Sequence, residues 1–338
     1  MTPIPVAVVG CGHLGTFHAR TYAHDRRCEL TMVVDIVEER ARRIASELGC
    51  EHARSVGALR GRVRAASVAT PTTTHEEVSV ALLSEGIDVL VEKPIADDPL
   101  SGARMVATAR RYGRVLAVGH IERCNPAFLL AREQLDAPRF IESHRLSVFV
   151  PRSLDVDVVL DLMIHDIDIV LSVCGSPIES VDAIGVPVLT EQADIANARL
   201  RFADGGVANL TASRVSREKM RKIRFFDRHR YLSVDLLARR IEGAAIRKAE
   251  PATKVATDGA GGEAAWLAAQ GLRLERWNRD APHGDALATE LGAFLVAVSG
   301  DGQPVVDGRA GLQSLEVALR VREAVAASLA RIRRNPTP

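Results

Sequence analysis

The chain has 338 residues, 47% of them hydrophobic and 26% charged, which describes an ordinary globular protein long enough for two cores, so two domains are expected. Forty-four Lys and Arg nearly cancel 43 Asp and Glu, and only 4% of residues are aromatic, which excludes the basic footprint and stacking platforms of a nucleic-acid binder. No apolar run approaches the roughly 20 residues that span a bilayer. The N-terminal stretch lacks the pattern of a secretory leader, and the five cysteines (Cys11, Cys28, Cys50, Cys124, Cys174) form no C-x-x-C pair. The expectation is a cytoplasmic protein with free thiols, no membrane partner and no metal site.

Residues 6–9 (Val-Ala-Val-Val) read as a buried strand running into Gly10-Cys11-Gly12-His13-Leu14-Gly15, with a helix over 16–25. The three glycines have the G-x-G-x-x-G spacing: Gly10 for a tight turn, Gly12 for close approach of a pyrophosphate, Gly15 for packing of helix on strand. A second strand over 30–34 ends in Asp35, placed to accept the hydroxyls of an adenosine ribose; its other reading is an N-cap for a helix over 36–48. Ile36 follows it rather than an arginine, and a carboxylate repels a 2′-phosphate, so NAD is expected over NADP.

Strand and helix continue to alternate: strand 65–69, helix 74–85, strand 87–91, helix 100–112, strand 115–118. This predicts an α/β fold over 1–120, a Rossmann-type doubly wound parallel sheet. Ligands in such sheets lie beyond the carboxyl ends of the strands. That singles out Gly10 to Gly15, Asp35, Thr70-Pro71, Glu92-Lys93-Pro94 and His120, with His13 and Leu14 inside the glycine turn. Thr73 and Thr74 each precede a Glu by three residues, a capping-box pattern, and His75 is either a first-turn surface histidine or part of the cofactor site. Proline after Lys93 allows a cis bond there.

Beyond residue 120 the style changes. Asn125-Pro126 starts a helix to 135, and strands are expected over 140–150, 178–189, 193–202, 206–214, 220–226 and 231–234. The Ala/Gly-rich stretch 256–271 reads as a loop, and helices over 285–298 and 308–332 end the chain, the last able to pack back on the first domain. Residues 121–338 thus form an α+β domain with a large open antiparallel sheet.

Within it, 157–175 is apolar round most of a helix. Asp157, Asp161, His165, Asp168 and Ser172 nevertheless share one face at α-helical spacing. The stripe either faces another helix or a subunit interface, or lines a substrate cleft. In the second case His165 serves as general base, Asp161 orients it, and the Lys93 ammonium stabilises the oxygen of an alcohol being oxidised beside the nicotinamide.

The glycine fingerprint, Asp35, Thr70-Pro71, Glu92-Lys93-Pro94 and Asp161-x-x-x-His165 together resemble the glucose–fructose oxidoreductase / inositol dehydrogenase / MocA (Gfo/Idh/MocA) family over essentially the whole chain. One departure is the apolar Val158-Val159-Leu160 where many members carry glycines before the Asp. The resemblance implies sugar oxidation by NAD, with Lys93, Asp161 and His165 catalytic, and homodimers or homotetramers packed through the C-terminal sheet. Within the family, Gly119 to Pro126 is similar to the segment of nucleotide-sugar 3-dehydrogenases. This implies C3 of a UDP-linked N-acetylamino sugar as the site of oxidation and a pyridoxal-phosphate aminotransferase, in diamino-sugar lipid A synthesis, as the consumer of the ketone. Substrate contacts are then expected from His120, Arg123, Asn125, Arg152 and Asp168, with Arg214 and Arg217 also available for a diphosphate. Oxidation of a free sugar or inositol, and a non-catalytic NAD or sugar sensor, are the competing readings.

Overall fold

The computed structural model describes residues 2–149, 156–249 and 263–334. Its elements gather into two units: the chain up to Cys124 together with Gly284–Leu319, and Asn125–His283 together with the residues from Arg320 onward.

The first unit runs β1 (Ile4–Val9), α1 (His13–His24), β2 (Cys28–Val34), α2 (Glu38–Leu48), β3 (Glu51–Ala53), β4 (Ala65–Val68), α3 (His75–Ser84), β5 (Asp88–Glu92), α4 (Pro99–Tyr112) and β6 (Leu116–Gly119). The strands form one parallel sheet in the order β3-β2-β1-β4-β5-β6. The order reverses between β1 and β4, where ligand sites of doubly wound sheets open. β4 and β5 are buried along their whole length, because helices cover both faces and leave no solvated side to alternate with. Local chemistry sets the helix ends: the Asp98 carboxylate accepts from the N–H groups of Leu100 and Ser101 ahead of α4, and Gly113 ends it in a left-handed conformation. The short edge strand β3 was not anticipated, since Glu51-His52-Ala53 carries no apolar run.

The second unit runs α5 (Pro126–Arg132), β7 (Phe140–Leu146), a π-helical turn at Val159–Met163 leading into α6 (Ile164–Val173), β8 (Ile178–Val186), β9 (Ile195–Phe202), β10 (Val207–Ser213), β11 (Met220–Asp227), β12 (Arg230–Asp235), β13 (Arg240–Lys248), α7 (Glu263–Ala269) and β14 (Leu272–Asp280). The sheet order is β14-β13-β12-β11-β7-β10-β9-β8. It is mixed rather than antiparallel throughout, because β10 lies parallel to β7 from Val207 opposite Phe140 to Ser213 opposite Leu146. After α6 the chain runs down β8, back along β9 and into β10, which fills the place beside β7 in the same direction. On β7, Ile141, Ser143 and Arg145 are buried while their neighbours are half-buried, the period-two signature of a sheet with one covered face.

Two more expectations change here. The expected strand to Val150 ends at Leu146, and Val150 itself lies outside the described residues. Part of the supposed loop over 256–271 is α7, and neither β13 nor β14 was anticipated. In their register Gly243 stands opposite Trp277, whose indole lies where a Cβ on residue 243 would be, 2.3 Å from its atoms.

After β14 come α8 (Ala286–Ser299) and α9 (Gly308–Arg334). α8 falls in the first unit, not the second domain to which its position in the sequence assigned it. The cause is its apolar surface: Leu291, Phe294, Leu295 and Val298 join Val6, Val8, Val33 and Ile44 in one core. Among the described residues no helix is long and apolar enough to cross a membrane.

Candidate active site

β1 delivers the chain into Gly10, whose φ of +93° only glycine adopts without strain. A Cβ on Gly10 would lie 2.6 Å from the Ala69 carbonyl oxygen, and one on Gly15 would lie 1.7 Å from that of Gly10. These two glycines are demanded by the protein's own packing. Gly12 differs: a Cβ there meets nothing within 4 Å, and Gly12, His13 and Leu14 are exposed. Gly12, the N-cap residue of α1, has no side chain with which to cap the helix, which leaves the orphan N–H groups of the first turn to another acceptor. That arrangement fits the diphosphate of a dinucleotide.

Asp35, at the end of β2, is buried and fixed by two main-chain donors: Oδ2 accepts from Cys11 N–H at 2.7 Å and Oδ1 from Val37 N–H at 2.8 Å. Each oxygen keeps lone-pair capacity for a ribose hydroxyl. It is not the cap of α2, which starts at Glu38 behind Val37. Burial first, and then the Asp35 charge, push the Cys11 thiol up to about 12, which leaves it inert at neutral pH.

β5 ends at Glu92, and the following Lys93–Pro94 bond is cis. Glu92 is buried rather than half of an exposed surface couple. Its Oε1 lies 2.9 Å from Nε2 of His18, a fully buried residue of α1, and its Oε2 accepts from the Lys93 backbone N–H at 3.3 Å. Gly119, ending β6, makes room for this carboxylate, which would stand 3.1 Å from a Cβ there. Burial alone would raise the Glu92 pKa; the His18 hydrogen bond and charge and the Lys93 charge outweigh it and lower it.

His75 is buried, which overturns the surface reading. Its Nε2 lies 2.9 Å from the Thr70 carbonyl oxygen and its Nδ1 3.0 Å from that of Pro94. Thr74 forms no capping box: its hydroxyl donates to the Pro71 carbonyl at 2.8 Å and lies 2.9 Å from the Thr70 hydroxyl. A short 3-10 turn at Thr72–Thr74 precedes α3 and consumes the positions the capping pattern needed. Thr70, Pro71 and Lys93 reach the surface at the carboxyl ends of β4 and β5, whereas His120, beyond β6, is buried. Arg123 donates to the Val305 carbonyl at 3.4 Å.

In the second unit the polar stripe is partly dissolved. Asp157 Oδ1 accepts from the N–H groups of Val159 and Leu160 at 2.8 and 3.1 Å, so this residue caps the helix start. The π-helical turn then breaks the uniform α-spacing on which the stripe was drawn. Asp161 and His165 are half-buried, Asp168 is buried, and Ser172 bonds to the Ile169 carbonyl. Asp166, outside the stripe, forms a buried two-pronged pair with Arg145 on β7, at 2.9 and 2.8 Å.

Arg214 is likewise turned inward. Its Nε donates to Asp194 at 2.9 Å and its Nη1 to the Val156 carbonyl at 2.7 Å, next to Asp157. Burial would raise the Asp194 carboxyl, but the N–H groups of Leu189, Thr190 and Val188 and the Arg214 guanidinium hold it well below the usual carboxylate range. Arg214 is therefore unavailable to a diphosphate, while Arg217 is exposed. Asn125 is engaged at both ends of its amide, Oδ1 capping Ala127 N–H and Nδ2 donating to the Leu236 carbonyl. Arg152 lies outside the described residues.

His18, Arg145, Asp166 and Asp194 were not singled out from the sequence. His18 had a readable signal: Gly15, His18, Ala19 and Tyr22 recur at the spacing of one helix face, and all are buried. Arg145 and Asp194 had none beyond their place in alternating strands.

Residues 4–120 match the model of an oxidoreductase family with an NAD-binding Rossmann fold, and residues 132–230 match the Gfo/Idh/MocA C-terminal domain. The chain belongs to the Gfo/Idh/MocA family. Its first unit is the family's NAD-binding Rossmann domain, and the open fingerprint turn and Asp35 described above suit that cofactor. The chain is 40% identical over 332 residues to UDP-N-acetylglucosamine 3-dehydrogenase of Acidithiobacillus ferrooxidans, covering 98% of this chain and 100% of that one. A solved structure of the same-named protein is similar with a TM-score of 0.86, covering 97% of this chain and 100% of that one, at 38% identity. Scyllo-inositol dehydrogenase of Lactobacillus casei, solved with NAD(H) and scyllo-inositol, shares the fold at a TM-score of 0.77 and 19% identity, covering 96% and 98%.

Proposed function

We propose that the protein oxidises the C3 hydroxyl of a UDP-linked N-acetylamino sugar, UDP-N-acetylglucosamine, to the 3-keto sugar. The observation that carries the substrate is the likeness to the Acidithiobacillus enzyme along the whole of both chains. A named myo-inositol dehydrogenase of Streptomyces leeuwenhoekii covers only 62% of the chain at 34% identity. NAD, when bound, supplies the acceptor for the hydride that leaves the carbinol carbon.

The remaining work falls to side chains. His165 takes the hydroxyl proton, and Asp161 orients His165 and favours its cationic form. The Lys93 ammonium stabilises the oxygen as it loses that proton. Glu92, Thr70, Pro71, His13 and Leu14 line the cofactor side, and His120, Arg123, Asn125, Arg152 and Asp168 are the substrate-side candidates. Arg123, Arg152 and Arg217 are the cations left for a diphosphate once Arg214 is committed to Asp194. The finer picture is a cytoplasmic homodimer or homotetramer, packed through the second sheet, feeding an aminotransferase in lipid A synthesis.

The test is NADH formation by the purified chain with NAD and UDP-N-acetylglucosamine, myo-inositol or free hexoses, with a trap for the ketone. The nucleotide sugar should be turned over at least about tenfold faster than the others, and Lys93→Met should lower kcat by about 100-fold or more. Equal or faster turnover of an inositol overturns the substrate; full activity of Lys93→Met overturns the mechanism.

A further inference from the structure

Lys93 sits between two residues that are each tied to a buried imidazole from a different helix. On its N-terminal side, Glu92 is bonded to His18 of α1 and, with its other oxygen, receives the Lys93 backbone N–H. On its C-terminal side, the Pro94 carbonyl lies against His75 of α3, whose other nitrogen reaches the Thr70 carbonyl beyond β4. His18 is 0% exposed and His75 1%. Burying an imidazole has a cost that a leucine would avoid, and each of these two directs one nitrogen at a group flanking Lys93, the Glu92 carboxylate or the Pro94 carbonyl.

We propose that His18 and His75 are positioning residues that fix the main chain of Lys93, and hence the origin of its ammonium, from both sides. The inference rests on the role proposed for Lys93. A side chain with four rotatable bonds points usefully only if its own backbone does not drift, and an error of about 1 Å in a reacting group can cost about 100-fold in rate. His75 also lies between the turns after β4 and β5, where the neutral imidazole donates to one of the two carbonyls and only the protonated ring donates to both.

The experiment uses the full chain and its His18→Ala, His18→Gln, His75→Ala, His75→Gln and Lys93→Met variants. It measures kcat and KM for UDP-N-acetylglucosamine, NADH affinity by fluorescence titration, and the carbon-13 NMR lines of the reductively methylated lysines. The sequence has five lysines (Lys93, Lys219, Lys222, Lys248, Lys254), so the Lys93 line is assigned by its loss in Lys93→Arg. The alanine variants should lower kcat by about tenfold or more while KM and NADH affinity stay within about threefold, and their Lys93 line should move toward that of free dimethyl-lysine. The glutamine variants, which restore one N–H donor, should recover most of the rate and the line position.

Alanine variants that keep kcat and the Lys93 line unchanged overturn the proposal, as does loss of NADH affinity in step with kcat without glutamine rescue. If Lys93→Met keeps full activity, the role of Lys93 is wrong, and the NMR line alone then decides whether the imidazoles hold the turn. If an alanine variant does not fold, the asparagine variant at that position, which keeps a shorter donor, takes its place.

Discussion

The turn that carries Lys93 and the helix that carries Asp161 and His165 are held by different chemistry. Around Lys93 the holding groups are imidazoles, His18 and His75. Around the helix they are the guanidinium–carboxylate pairs Arg145–Asp166 and Arg214–Asp194. Each scaffold holds one group whose pKa folding lowers, His75 in the first and Asp194 in the second.

Burial lowers the His75 pKa, against the opposing pull of the Thr70 and Pro94 carbonyls. The unfolded chain then binds a proton at higher pH than the folded one, so the stability tied to neutral His75 is complete above the ordinary histidine value and is lost as pH falls through the lower folded value. Asp194, also lowered, keeps its contribution above the ordinary carboxylate value and gives it up only in strong acid.

Four single substitutions and one double probe that contrast. Arg145→Met strands the Asp166 carboxylate among buried residues and should cost about 3–5 kcal/mol in urea unfolding followed by circular dichroism; Arg145→Met with Asp166→Leu should regain most of it. A cost under about 1 kcal/mol for the single change would mean that this pair does not hold the helix. Arg214→Met should cost less, about 2 kcal/mol, because three backbone N–H groups stay on Asp194. Asp157→Ala removes a cap and should cost about 1 kcal/mol by the same measurement. The smallest effect is expected from His75→Gln at neutral pH, and its signature is the pH dependence. Between about pH 7.5 and about pH 5.5 the parent should lose more stability than the variant, and parallel losses would remove His75 as the source.

Much of the first unit was legible because its physics is local. Buried parallel strands announce themselves as apolar runs, Gly10 is required by its own positive φ, and Gly15 by its contact with the nearby Gly10 carbonyl. Thr70, Lys93 and His120 could be located in the same way, as residues following strands, although the burial of His120 could not. In the second unit the same methods misread the helix, since spacing presumes one kind of turn and the π-helical turn at Val159–Met163 supplies another. Asp157 and Asp161 look alike in sequence, yet one is consumed by two backbone donors. Arg214 looked like a free cation because its partner, Asp194, sits across a strand pair, where no periodicity points to it. β13 and β14 escaped notice because arginines and Gly243 interrupt their alternation.

The glycine that admits Trp277 against β13 has a practical outcome. The two tryptophans of the chain, Trp266 and Trp277, belong to the same unit, and the nucleotide-binding half has neither. Intrinsic emission excited at the indole band therefore watches one half of the molecule melt and is blind to the other, so any offset between that signal and the loss of helix marks the two halves coming apart in separate steps.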